Sequence, residues 1–217
     1  MVYLIPKHPI AFPDPHEADD DGLLCYGGEL SVEWLLLAYH HGIFPWFSFR
    51  ESPLPAWFCP HERFVIFPHE IHISHSMRNL INKGLYRVTI SEDFEGVLNG
   101  CATVNNRDQH SGAWLGDDIK RAYTRLHELG WAESVEVWDG DRLVGGLYGV
   151  TVRGCFIGES MFSLVPSASK LALITLAQIM QQAGWKFIDC QLETPHLRSM
   201  GACFIPYDQY MEILNAD

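Results

Sequence analysis

Hydrophobic residues recur along this chain with two periods. From Asp117 to Leu129 the apolar positions are Ile119, Ala122, Tyr123, Leu126 and Leu129. Steps of three and four place them on one helical face. Asp117 and Asp118 complement the amino-terminal dipole of that helix, and Gly130 marks its end. Ala132 to Trp138 then alternates as a strand does, and Asp139-Gly140 signals a hairpin turn. Leu143 to Val152 reads as the returning strand. Cys155 to Phe162 follows as a third strand after a tight turn at Arg153-Gly154. Ser167 is placed to cap a long helix from Ala168 to Ala183, stopped by Gly184. Lys186 to Gln191 reads as a further strand and Tyr207 to Asn215 as a terminal helix.

Upstream the pattern is weaker. Residues 6 to 30 are rich in Pro, Asp and Gly and read as turns. Ser31 is placed to cap a helix over 32–41, ended by Gly42. Ile43-Phe44-Pro45-Trp46-Phe47 is a dense aromatic loop, suited to core packing or to the wall of a flat ligand. Residues 48 to 62 again read as loop. Phe64 to Phe67 and Tyr86 to Ile90 read as short strands, with a helix from Ser74 to Lys83 between them. Ser91 is placed to cap a helix from Glu92 to Gly100, and 102–112 reads as loop. A meander followed by a strand–helix–strand crossover at 155–191 predicts a mixed α+β sheet with one parallel pair.

Composition narrows the class. The 217 residues suffice for one large domain or two small ones. A chain that is 47% hydrophobic and 19% charged belongs with soluble globular proteins. No apolar run approaches the roughly 20 residues of a membrane span. The first residues do not form a signal peptide pattern, so a cytoplasmic protein is expected. Six scattered cysteines without a Cys-x-x-Cys pair point to reduced thiols, and neither they nor the histidines have metal-ligand spacing. A net charge of -12 argues against broad nucleic-acid binding but allows a local basic patch. Lys120, Arg121 and Arg125 lie off the apolar stripe, as such a patch or as a solvated face.

Candidate chemistry gathers on the last strands. Alternation puts Cys155, Ile157, Glu159 and Met161 on one face, and Phe156, Gly158, Ser160 and Phe162 on the other. A carboxylate on an apolar face is costly unless paired or hydrogen-bonded. Gly145, Gly146 and Gly149 weaken their strand unless a ligand or another backbone comes close. Phe187, Asp189 and Gln191 share a face, so the carboxylate and the amide can bind a common ligand or each other. No Walker loop, Rossmann fingerprint or Gly-x-Ser-x-Gly elbow occurs.

The ordered motifs together resemble a family. They are Asp21-Gly22-Leu23-Leu24 with Gly27-Gly28, Ala38-Tyr39-His40-His41-Gly42-Ile43-Phe44-Pro45-Trp46, Val144-Gly145-Gly146-Leu147-Tyr148-Gly149, Gly158-Glu159-Ser160-Met161-Phe162-Ser163, Ile188-Asp189-Cys190-Gln191 and Ser199-Met200-Gly201-Ala202. In this order the chain resembles the leucyl/phenylalanyl-tRNA–protein transferases. The resemblance implies an N-terminal domain over 1–62 and an acyltransferase domain over 63–217. The latter would be GNAT-like, with a mixed, mostly antiparallel sheet. It implies transfer of Leu, Phe or Met from aminoacyl-tRNA to a protein beginning with Lys or Arg, marking that protein for degradation. It implies no cofactor and no metal, no membrane association, and a monomer. Trp46, Trp114 and Tyr123 match aromatics at the terminal adenosine of the tRNA. Glu159 matches an acid there. Met161, Leu176, Met180 and Ile188 match the pocket for the transferred side chain, with Leu176 and Met180 standing where some relatives carry phenylalanines. Asp189 and Gln191 match a catalytic pair. Arg78, Lys83, Arg87, Lys120, Arg121 and Arg125 are the candidate tRNA-binding patch. Trp57-Phe58-Cys59-Pro60-His61-Glu62-Arg63 departs from the usual Trp-Trp-Ser-Pro-x-x-Arg of the family. A coenzyme A-dependent acyltransferase and a non-catalytic module for the tRNA end are the alternative readings.

A carboxamide is a very poor base, whereas an α-amino group with a pKa of roughly 7.7–8.0 is already partly neutral at pH 7. The expected role of Gln191 is therefore to orient the attacking amine, with Asp189 holding it.

Overall fold

A computed structural model of the chain describes residues 3–46, 54–104 and 117–216. The N-terminal part contains β1 (Tyr3–Ile5), β2 (Leu23–Gly27), α1 (Val32–His40), β3 (Phe44–Pro45) and β4 (Ala56–Phe58). Next come β5 (Glu62–Ile66), α2 (His75–Lys83), β6 (Arg87–Ile90), α3 (Phe94–Val104) and α4 (Asp117–Glu128). The C-terminal part contains β7 (Ala132–Asp139), β8 (Arg142–Val152), β9 (Cys155–Ser163), α5 (Ala168–Gln182), β10 (Ile188–Gln191), α6 (Pro195–Ser199), β11 (Cys203–Pro206) and α7 (Tyr207–Asn215).

Two sheets result. The small one has the order β1-β2-β4-β3 and the large one β11-β5-β10-β9-β8-β7-β6. In the large sheet β9 and β10 are parallel and the other neighbours antiparallel. This is the α+β architecture expected: a small N-terminal sheet beside a larger mixed, mostly antiparallel sheet. The parallel pair follows from α5, which returns the chain to the starting edge of β9. Successive strand residues face opposite sides, so Phe156 and Ile157 enter different apolar clusters. One cluster covers one face under α3, α4 and α7. It continues beneath the small sheet through Trp34, Tyr39 and Trp57, so both sheets share a core. The other lies on the opposite face under α2 and α5. Among the described residues no helix is long and apolar enough to cross a membrane. The six cysteines are free, with Cys190 and Cys203 the less buried.

Two predicted caps are corrected. Ser91 has φ +53 and does not start α3. Asp93 accepts from the Gly96 N–H at 2.9 Å instead, and the helix begins at Phe94. It runs on to Val104, into the predicted loop, the rest of which lies outside the described residues. Ser167 sits at the start of α5 with φ +71 and makes no side-chain cap. Ser163 Oγ accepts from the Ser169 N–H at 3.2 Å in its place. The segments read as turns and loop at 6–30 and 48–62 contain β2 and β4, which pair with each other. Cys203–Pro206, unassigned from sequence, is the edge strand beside β5.

The strand glycines are explained by neighbouring chain. A Cβ on Gly149 would lie 2.3 Å from the Ile157 carbonyl oxygen and 2.5 Å from the Phe156 ring. One on Gly145 would lie 2.5 Å from Ala168 Cβ, and one on Gly146 2.6 Å from the Val135 carbonyl oxygen. Gly149→Ala should therefore destabilise the fold by about 1–3 kcal/mol through overpacking. Urea denaturation measures this, and an unchanged midpoint would contradict the packing account.

Candidate active site

The site lies where β9 and β10 part. They pair only at Phe156–Ile188 and Ile157–Asp189. Just beyond, each strand carries one extra residue. Opposite β8, Gly158 faces Gly149 and Ser160 faces Tyr148, which leaves Glu159 as the bulge. Opposite β5, Asp189 faces Val65 and Gln191 faces Phe64, which leaves Cys190 over. Bulges re-aim side chains and commonly flank sites. This one corrects the predicted face of β9. Cys155 and Ile157 share a cluster as expected, but Met161 has crossed to the Phe156 side and Phe162 has joined Ile157.

Asp189 is fully buried and fully engaged. The Arg63 guanidinium donates to Oδ2 through Nη2, and the Tyr210 hydroxyl donates to the same oxygen at 2.9 Å. The Gln191 backbone N–H donates to Oδ1 at 2.8 Å. Arg63 is itself 1% exposed, donates from Nη1 to the Gly42 carbonyl, and lies over the rings of Phe44 and Tyr210 at 5.0 and 4.5 Å. A buried pair is tolerable only when it is hydrogen-bonded on both sides; here both Nη atoms of Arg63 are engaged and its Nε has no partner. Gln191 has φ +62, a conformation that few residues other than glycine adopt. Asp189 thus fixes the backbone of Gln191 and not its carboxamide. The carboxamide is turned to Glu159, with Nε2 at 3.4 Å from Oε1.

Glu159 also meets two tyrosines. Tyr39 from α1 donates to Oε1 at 2.7 Å and Tyr123 from α4 donates to Oε2 at 2.7 Å. The two hydroxyl oxygens are 2.6 Å apart. Burial pushes the Glu159 carboxyl up to about 7, against the lowering effect of the tyrosine donors, while the charge of Asp189 raises it further. Tyr39 had no assigned role in the sequence. It falls four residues after Leu35 on the apolar side of α1, and that position reads as core packing.

A cavity of about 130 Å³ opens beside these groups. Leu147, Phe156, Met161, Leu173, Leu176 and Ile188 line it, with Glu159, Asp189 and Gln191 at its polar edge. Predicted Met161, Leu176 and Ile188 therefore come together with the predicted pair. Met180 does not: it is buried in the core beneath α5 and does not line the cavity.

The other predicted residues divide. Trp46 is partly buried and meets Phe58 edge-on at 5.0 Å. Trp114 lies outside the described residues. Tyr123 was matched to the aromatics at the terminal adenosine. It is 1% exposed with its ring edge-on to Tyr148 at 5.4 Å, so it offers Glu159 a hydroxyl and offers a base no open face. The six basic residues do not form one patch. Arg78 and Lys83 lie on α2, over one face of the large sheet, and Lys120, Arg121 and Arg125 lie on α4, over the other. Arg87 is on the edge strand β6, paired with Glu92 at 2.7 Å. Arg121 and Arg125 pair with Asp118 and Glu128 of their own helix, and both line a groove of about 830 Å³ between α4 and the start of α1.

Two family models match this arrangement. The leucyl/phenylalanyl-tRNA protein transferase model covers residues 65–215, and the model of that family's N-terminal domain covers 28–61. The chain belongs to the leucyl/phenylalanyl-tRNA protein transferase family. A protein of that name from Hydrogenovibrio crunogenus is 44% identical over 217 residues, covering 99% of this chain and 84% of its own. One from Flavobacterium psychrophilum is 45% identical over 205 residues, covering 94% of this chain and 96% of its own. One from Syntrophus aciditrophicus is 47% identical over 205 residues, at 94% and 84% coverage. The bulges, the cavity and Tyr39 all fall within the two matched segments. Arg63, which anchors Asp189, falls between them.

Removing the guanidinium should expose how much rests on that anchor. Arg63→Met leaves Asp189 buried without its cation, and a loss of about 3–5 kcal/mol is expected in urea denaturation. A loss below about 1 kcal/mol would show that the pair is not what holds this part of the sheet.

Proposed function

We propose that the chain transfers Leu or Phe, and also Met, from aminoacyl-tRNA to acceptor proteins that begin with Lys or Arg. The new N-terminal residue then marks the acceptor for degradation in the cytoplasm. The observation that carries this reading is the apolar cavity with Gln191 and Glu159 at its edge. Apolar cavities of roughly 150 Å³ accept one benzene ring. At about 130 Å³, this one suits an isobutyl or benzyl side chain after small adjustment. Met161 is unbranched and polarizable, which suits a pocket that takes more than one shape. The coenzyme A and non-catalytic alternatives are not favoured by the family membership.

The chemistry asks little of a base. The tRNA ester is an activated acyl donor and the acceptor amine is partly neutral at pH 7. Orientation of the amine, and hydrogen bonding to the developing oxyanion, are the main contributions required. In this reading Asp189, already saturated by Arg63, Tyr210 and the Gln191 N–H, moves no proton. It positions Gln191, whose carboxamide orients the amine. The tRNA acceptor end approaches over α4, where Arg121 and Arg125 trade exposed intrahelical pairs of small worth for phosphates. The protein acts as a monomer, with its two domains divided near residue 62.

The decisive assay offers Leu-tRNA or Phe-tRNA together with a peptide beginning in Arg. Labelled Leu or Phe should appear on the peptide, and acyl-CoA should not replace the tRNA donor. Absence of transfer in the presence of tight tRNA binding would reject the enzyme reading. Gln191→Ala should lower turnover about a hundredfold with tRNA affinity unchanged. Turnover within twofold of the parent would reject the orienting role. Arg121→Glu with Arg125→Glu should weaken tRNA binding and flatten its log–log salt dependence by about two units. An unchanged slope would return that face to plain solvation.

A further inference from the structure

The contacts at Glu159 close a loop of four oxygens: Tyr39 to Oε1 at 2.7 Å, Tyr123 to Oε2 at 2.7 Å, and 2.6 Å between the hydroxyls. Each of these three contacts is short enough to require a hydrogen between its oxygens. The two hydroxyls supply two. A carboxylate supplies none and leaves one contact as two facing lone pairs. A carboxylic acid supplies the third. Gln191 sets the direction, because its Nε2 donates toward Oε1. Oε1 is then the acceptor of Tyr39 and Gln191, and Oε2 carries the proton. The proton on Oε2 reverses the direction that the Tyr123 contact has toward a carboxylate: Oε2 donates to Tyr123, Tyr123 to Tyr39, and Tyr39 back to Oε1.

We infer that Tyr39, Tyr123 and Glu159 form a three-proton ring in which Glu159 is a carboxylic acid, that this acid protonates the departing ribose oxygen during acyl transfer, and that Tyr39 is a positioning residue for its proton. The delivery step rests on the transferase reading above; the protonation state does not.

The groups facing Glu159 agree with this state. Tyr39 comes from α1, Tyr123 from α4, Tyr148 from β8, and Asp189 and Gln191 from β10. Burial, and next the Glu159 charge, push the Tyr39, Tyr123 and Tyr148 hydroxyls up, so all three keep their protons. Burial also keeps Cys101 of α3 a thiol. Among the described residues no cation faces the ring directly. Arg63 is spent on Asp189, and Asp189 disfavours a second negative charge nearby.

The step balances. The acceptor nitrogen forms its bond to the acyl carbon and the ester C–O bond breaks. Oε2 gives its proton to the ribose oxygen. The proton released by the nitrogen returns to the carboxylate, and Glu159 ends as it began.

Carbon-13 NMR of glutamate-labelled protein tests the ring, with the Glu159 carboxyl assigned by its loss in Glu159→Gln. The expected titration midpoint is about 7. Tyr39→Phe should move it downward, because the hydroxyl–hydroxyl contact that requires the third proton is gone and Tyr123 is free to donate to an ionised Oε2. A midpoint near the ordinary value of about 4.3, or one that Tyr39→Phe raises or leaves unmoved, overturns the ring. For delivery, the ratio of parent to Glu159→Gln turnover should fall about tenfold per pH unit above that midpoint. The ratio cancels the titration of the attacking amine, and a ratio constant with pH overturns the step. A midpoint of about 7 in a protein that transfers nothing from aminoacyl-tRNA upholds the ring and rejects the transferase reading. Transfer by a protein whose Glu159 titrates normally does the reverse.

Discussion

One buried carboxylate organises this molecule. Asp189 has no exposed surface, and it is stable there because Arg63, Tyr210 and the Gln191 N–H all donate to it. Those donors come from β5, α7 and the next turn of its own strand. Arg63 in turn reaches back to the Gly42 carbonyl at the end of the first helix region. A single charge thereby ties the large sheet, the terminal helix and the N-terminal part together. Its second effect is local. By holding the Gln191 N–H, it stabilises a left-handed residue at the point where β10 leaves β9. The parting of those strands makes both the cavity and its polar edge.

The two sheets build the site jointly. Tyr39 and Gly42 belong to the N-terminal part, yet one serves Glu159 and the other Arg63. The shared apolar cluster through Trp34, Trp57 and Tyr123 is the packing counterpart of those bonds. A purely catalytic C-terminal sheet would lack one hydroxyl of the ring and one acceptor of the buried cation.

Much of this was legible in the residues. The long periodic segments α4, β7 to β9, α5 and α7 declare themselves because each covers enough residues to show a period. The resemblance named Asp189, Gln191, Glu159, Met161 and Ile188, and these do meet around one cavity. What was hidden was non-local. β3 and β4 are two and three residues long, so no alternation can show, and β4 exists because its neighbours complete its hydrogen bonds. The bulge at Glu159 moves Met161 to the other face without any mark in the alternation. Tyr39 and Arg63 lie 120 and 126 positions from the carboxylates they serve, and a tyrosine on an apolar helix face looks like packing. Sequence also joined α2 and α4 into one basic patch, which the sheet between them separates.

The central claim is that the gap between β9 and β10 receives the transferred side chain while its polar edge handles the ester. A crystal structure with an adenosine carrying phenylalanine through a 3′-amide, which cannot be transferred, tests it most directly. The account predicts the benzyl group against Met161, Leu176 and Ile188, with the linking nitrogen near Glu159. A benzyl group lodged in the groove between α1 and α4, with the cavity unfilled, would contradict it.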